Sequence, residues 1–228
     1  TTTATLQVNR ITTVLTNFAV HAKTFGDVSF SLVPPTTNSD GAFTYTSSNT
    51  SVATIVRNVV TIVGIGTSTI TAVQANTVNY TAGTITATFE VTQGTPTITN
   101  FVVPAKTVGD ASFAIVAPTS NSDGAFTYTS SNSKVATIFK NTVSIKGLIG
   151  NTIITASQAM STNYISGTVT TTFFVNQLSP TLSTPFVVPA TKTFGDATFK
   201  LIAPKSNSIS PFVYTSSNQA VVKIAKDV

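Results

Sequence analysis

Apolar and polar residues alternate in short runs along this chain. The run Phe43-Thr44-Tyr45-Thr46 and its near copy Phe126-Thr127-Tyr128-Thr129 are two-residue periods, in which neighbouring side chains leave a pleated strand on opposite faces. Phe43, Tyr45, Phe126 and Tyr128 are therefore expected to point into a core, and Thr44 and Thr127 outward. No long stretch keeps the 3.6-residue period of a helix, and β-branched residues dominate where apolar positions alternate. Between residues 94 and 177 the pattern predicts seven strands, at 97–103, 111–116, 126–130, 135–139, 142–146, 152–158 and 168–175. That density of short strands predicts an all-β sandwich.

The pattern also repeats. Thr24-Phe25-Gly26-Asp27 returns as Thr107-Val108-Gly109-Asp110 and as Thr193-Phe194-Gly195-Asp196. Phe43 to Asn49 returns as Phe126 to Asn132 and as Phe212 to Asn218, in the same register. A period above 80 residues exceeds that of a solenoid unit and lets each copy bury its own core. The chain divides into 1–10, the last strand of a preceding repeat; 11–93 and 94–177, two whole repeats; and 178–228, an incomplete third. Residues 1–10 align with 84–93, and the third copy stops before its counterparts of 60–83, so the expectation is an excerpt from a longer array.

The breaks between runs carry turn chemistry: Gly26-Asp27 and Gly109-Asp110, then Asn38-Ser39-Asp40-Gly41 and Asn121-Ser122-Asp123-Gly124. In the third copy the second turn reads Asn207-Ser208-Ile209-Ser210-Pro211 and loses its acid, a change a turn tolerates and carboxylate chemistry does not. The junctions Gln93-Gly94-Thr95-Pro96 and Gln177-Leu178-Ser179-Pro180 are a few residues long and contain proline. They predict domains set end to end with limited bending.

Composition narrows the possible partners. Only 8% of residues are charged while 41% are hydrophobic, which predicts a well-filled core under a hydroxyl and amide surface. The net charge of +5 comes from twelve basic residues scattered singly, with none of the aromatic interleaving of a nucleic-acid groove, so nucleic acid is not an expected partner. There is no cysteine, hence no disulfide or thiolate metal site. No apolar stretch approaches the roughly 18 residues of a membrane span.

The segment Tyr45-Thr46-Ser47-Ser48-Asn49-Thr50-Ser51-Val52-Ala53-Thr54-Ile55, followed by Val59-Val60 and Gly64-Ile65-Gly66-Thr67-Ser68-Thr69-Ile70-Thr71-Ala72, resembles the bacterial immunoglobulin-like group 2 family. The second copy keeps the pattern from Tyr128 to Ile138 and from Gly147 to Ala156, with one inserted residue and Asn151 in place of threonine. The family's usual tryptophan is tyrosine here, at Tyr45, Tyr128 and Tyr214. The resemblance implies tandem immunoglobulin-like β-sandwiches, as in intimin- and invasin-type surface adhesins, other exported bacterial proteins, and viral tail or capsid proteins. It implies no catalytic residues.

The residues themselves offer little chemistry. Of seven acids, Asp27, Asp110 and Asp196 share one repeat position and Asp40 and Asp123 another, each beside a turn. His21, the one histidine, is matched by Pro104 and Pro189, which removes a histidine triad common to the copies. The Ser-Ser-Asn serines have no base, and no phosphate loop or metal-spacing motif occurs. The junction Gln93-Gly94-Thr95-Pro96 offers calcium no carboxylate. Phe25, Phe43, Tyr45 and Tyr80 recur at strand-like places and are expected in the core. Asn49-Thr50-Ser51 and Asn79-Tyr80-Thr81 match a glycosylation acceptor by chance, since the second copy lacks both.

Expected site residues are therefore none: no catalytic, cofactor-binding or metal-binding residues, no cofactor and no enzyme activity. The expected function is structural, an extracellular stalk or fibre acting as spacer or adhesin shaft on a cell or virion surface, with neighbouring repeats as partners. The alternative is a multivalent module binding a surface glycan or receptor weakly through loops that differ between copies, such as Thr50–Ser51 and Ser133–Lys134, or a viral appendage.

Overall fold

The computed structural model describes residues 2–189 and 191–225, and among them every regular element is a strand. The first sandwich contains β1 (Leu15–Thr16), β2 (Lys23–Thr24), β3 (Phe30–Ser31), β4 (Thr36–Thr37), β5 (Phe43–Ser47), β6 (Ala53–Val56), β7 (Val59–Ile62), β8 (Gly66–Gln74) and β9 (Gly83–Thr92). The second repeats them as β10 (Ile98–Thr99), β11 (Lys106–Thr107), β12 (Phe113–Ala114), β13 (Thr119–Ser120), β14 (Phe126–Ser130), β15 (Ala136–Phe139), β16 (Thr142–Ile145), β17 (Gly150–Gln158) and β18 (Gly167–Asn176).

Each sandwich has a four-stranded sheet, ordered β2-β9-β8-β5 or β11-β18-β17-β14, and a three-stranded one, ordered β3-β7-β6 or β12-β16-β15. All ladders are antiparallel except β2 with β9 and β11 with β18, where the leading segment joins the last strand in parallel. This split leading segment and the two unequal sheets form an immunoglobulin-like sandwich.

The inner faces carry the apolar half of the alternation. Phe89, Ile70, Ala72 and Val60 fill the first core, and Phe173, Ile154, Ala156 and Val143 the second. Phe30 lies 5.6 Å from Phe89, and Phe113 the same distance from Phe173. Removing each such side chain from water stabilises the fold by about 1.5–3 kcal/mol. Outside, Thr46, Thr71 and Thr86 stand in one cross-strand row, as do Thr129, Thr155 and Thr170. Phe43, Tyr45, Phe126 and Tyr128 point inward and are half-buried, while Thr44 and Thr127 are exposed.

The leading segment departs from the expected strand at 97–103. Only Ile98–Thr99 pairs, with β13. Asn100 then turns the backbone to φ 58°, as Asn17 does in the first copy, and sends Phe101 and Phe18 into the cores. Asparagine tolerates this left-handed region better than the residues around it. β10 and β13 form a two-stranded sheet of their own, and the chain resumes as β11 in the four-stranded sheet, a strand the alternation does not announce; the expected strand at 111–116 likewise shrinks to Phe113–Ala114.

Residues 2–10, expected as a final strand, form no ladder; alternation without a neighbouring strand does not hold extended backbone in place. In the third copy the described residues keep local features of the repeat without its sheets. Phe186 stacks 5.3 Å from Tyr214, and Leu182 and Ser206 form a single bridge.

Candidate functional site

The turns use the polar residues that chemistry would have needed. Asp27 Oδ2 accepts a bond from the Thr24 amide at 3.0 Å, Asp110 from Thr107 at 2.9 Å and Asp196 from Thr193 at 2.9 Å. In each turn the glycine before the aspartate takes a φ of 96–99°, a value glycine alone adopts freely. The Ser-Ser-Asn serines also have a structural role. The buried Ser68 hydroxyl accepts from the Asn49 amide at 3.1 Å and bonds Ser47 at 2.8 Å. Thr152 does the same for Asn132 at 2.9 Å and Ser130 at 2.8 Å. His21 is exposed at one side of a shallow cleft beside Lys23. Among the described residues no three His, Cys, Asp or Glu side chains gather as a metal cluster would require.

Two buried glutamines escaped the sequence reading. Gln74 Nε2 donates to the carbonyls of Ser39 (3.1 Å) and Gly41 (2.8 Å), while its Oε1 accepts from Thr37 Oγ1 at 2.6 Å. Gln158 holds Ser122, Gly124 and Ser120 in the same way. These three bonds pair both amide protons and the oxygen, which is what allows it to lie inside. The signal was present: Gln74 falls on the inward phase of Ile70 and Ala72, and it recurs 84 residues on.

The two sandwiches meet at Gly94. Its amide donates to the Asn163 carbonyl at 2.9 Å and its carbonyl accepts from the Ile165 amide at 2.9 Å, a single bridge that ties the start of the second repeat to its own loop joining β17 and β18, as Ile11 does with Asn79 and Thr81 in the first. From the same loop Tyr164 meets Phe25 of the first sandwich edge-on at 5.3 Å, and Asn163 Oδ1 accepts from the Ile65 amide at 3.4 Å. Gln93 Nε2 donates to the Ser161 carbonyl at 2.9 Å. A Cβ on residue 94 would stand 2.3 Å from the Phe25 carbonyl oxygen, so only glycine permits this approach. Tyr164 and its counterpart Tyr80 thus lie in loops rather than in strands. Phe25 serves the first core and the junction together.

The larger cleft, about 430 Å³, lies beside β14 in the second sandwich, lined by Phe126, Thr127, Tyr128, Lys140 and Asn141. Burial pushes the phenols of Tyr45 and Tyr128 above their ordinary range of 10.0. The Tyr45 hydroxyl is enclosed without a hydrogen-bond partner. The differing loops Thr50–Ser51 and Ser133–Lys134 are exposed on both copies.

No family model matches the chain, and no curated protein does. Among solved structures it is similar to human protocadherin-24 EC1-2, at 12% identity over 73% of this chain and 99% of that one, with a TM-score of 0.33. Drosophila N-cadherin EC1-4 is 13% identical over 73% of this chain and 50% of that one, TM-score 0.33. A SusE-like surface-located polysaccharide-binding protein of Bacteroides thetaiotaomicron is 15% identical over 73% of this chain, TM-score 0.29, and the chain spans 35% of its length. Superposition this partial does not bear on function, and the immunoglobulin-like architecture rests on the strand order itself.

Proposed function

We propose that the chain is part of a surface-exposed shaft, in which immunoglobulin-like repeats of the bacterial group 2 kind act as spacers outside a cell or virion. The observation that carries this reading is the junction at Gln93 and Gly94, where the Gln93 bond to the Ser161 carbonyl, the Ile65–Asn163 bond and the Phe25–Tyr164 contact tie one sandwich to the next. A flexible string of binding modules has no need of a joint from which every side chain but glycine is excluded. The low charge and the use of the aspartates and serines within turns and hubs fit a scaffold.

Small-angle scattering on the whole chain tests it. The expected profile is that of two sandwiches held in one orientation, and Gly94→Leu should broaden the distribution of maximum dimensions. A parent profile already requiring freely rotating domains would overturn the reading. Weak multivalent binding through the loops at Thr50–Ser51 and Ser133–Lys134 is the second reading, favoured by their exposure and their difference between copies.

A further inference from the structure

The hairpin between β15 and β16 turns through Lys140 and Asn141, and that between β6 and β7 through Arg57 and Asn58. Lys140 takes φ 55° and Arg57 φ 60°, a left-handed conformation that long side chains rarely adopt and that an asparagine or glycine would accept at less cost. The conformation is held from outside: the Asn141 carbonyl accepts from the Ile115 amide at 2.7 Å, and the Asn58 carbonyl from the Leu32 amide at 2.8 Å. A cation thus stands at an unfavourable place in both sandwiches, and Lys226 has the same place in the third copy's sequence, outside the described residues. Among the described residues neither side chain makes an ion pair or hydrogen bond; Lys140 Nζ lies 5.8 Å over the ring of its exposed neighbour Phe139.

Beside this tip is the 430 Å³ cleft, a volume within the range of small-ligand sites. Its other walls are the stacked, half-buried side chains of Phe126 and Tyr128, 6.4 Å apart, with Asn141 and with Thr127, whose hydroxyl donates to the Ser157 carbonyl at 3.4 Å. β14 is the outermost strand of its sheet, so part of its backbone hydrogen-bonding capacity also faces the opening. A cation without an ion pair, partly exposed ring surface and neutral polar groups around one open cleft suit a ring that is acidic at one point and hydroxylated elsewhere. An extended acidic peptide would need a longer open edge than the five residues of β14 with the Lys140–Asn141 hairpin beside them.

We propose that this cleft binds one unit of an acidic polysaccharide, and that the repeat-equivalent residues Phe43, Tyr45 and Arg57 of the first sandwich do the same. The carboxylate pairs with Lys140 or Arg57, the ring's C–H face lies on the aromatic side chains, and its hydroxyls bond Thr127 and Asn141. This goes beyond the shaft reading, since a spacer needs no ligand, and it gives each repeat one weak site that a polymer engages several times.

The test is retention of the whole chain on immobilised polygalacturonate, on its methyl ester and on polyglutamate. The expected result is retention on the free acid at least tenfold stronger than on the ester or the peptide. Arg57→Asn with Lys140→Asn should abolish it without lowering the melting temperature, because asparagine tolerates the same backbone conformation. Arg10→Gln with Lys146→Gln removes the same charge elsewhere and should leave retention within twofold. Should the asparagine pair melt early, Lys140→Gln alone replaces it and should still lose most retention. The proposal falls if the parent is not retained, if both charge-matched variants lose retention equally, or if polyglutamate binds and polygalacturonate does not. Failure here leaves the scattering result at the Gly94 junction untouched.

Discussion

Tyr45 shows how a single polar atom divides two roles of a side chain. Its ring packs 6.2 Å from Phe18 and 6.1 Å from Phe43, yet its hydroxyl is enclosed with nothing to bond. A buried hydroxyl without a partner costs about 1–3 kcal/mol, so Tyr45→Phe should raise the melting temperature, whereas Tyr45→Ala should lower stability by about 3 kcal/mol through loss of the ring. The same hydroxyl sets a pH response. Its folded-state pKa is raised by burial, so the group leaves stability unchanged with pH below 10, the unfolded value, and lowers it as pH rises further. A melting series from pH 8 to pH 11 should fall only in its upper part, and Tyr45→Phe with Tyr128→Phe should flatten that fall. Gln74 is the opposite case, with both amide protons and the oxygen paired. Gln74→Ala strips two turn carbonyls and the Thr37 hydroxyl of partners and should cost about 3 kcal/mol, read by urea denaturation.

Among the elements, the later strands of each repeat were legible because alternation, turn residues and burial agree there. The run at 126–130 is β14 without change, and those at 152–158 and 168–175 differ from β17 and β18 by two residues or fewer at each end. The leading segment was not legible in the same way. Its pairing changes sheet at Asn100, and a two-residue strand such as Lys106–Thr107 is defined by the partner it meets, β18, rather than by its own pattern. Asn100→Val would keep the expected alternation and oppose the left-handed turn that brings Phe101 inward. It should cost about 1–2 kcal/mol, whereas Asn100→Gly should cost less. The glutamine clamps were readable in principle, as polar residues on an inward phase. The Gly94 joint was not, since its meaning depends on the Phe25 carbonyl 69 residues earlier.

For the whole molecule, the expectation of independent sandwiches joined end to end has two measurable sides. The contacts that cross the junction run through Gln93, Asn163 and the Phe25–Tyr164 pair, with no carboxylate among them. Melting in EDTA should therefore match melting in calcium within a degree, because a cation bound only to the folded state would raise its stability. Each core is also closed upon itself, so Phe173→Ala should lower the stability of the second sandwich by about 3–5 kcal/mol and leave the first nearly unchanged. Hydrogen exchange resolved by residue would distinguish the two.

The position of Gly94 is occupied by Ile11 in the first copy and Leu178 in the third. A bare Cα lets one sandwich come within reach of its neighbour's carbonyl; a branched side chain at that place would clash at the same distance. Bending stiffness along such a shaft is then set joint by joint, by one residue in each period of more than 80. An applied load would bend it where that residue is large, and the glycine joint would transmit the load unbent.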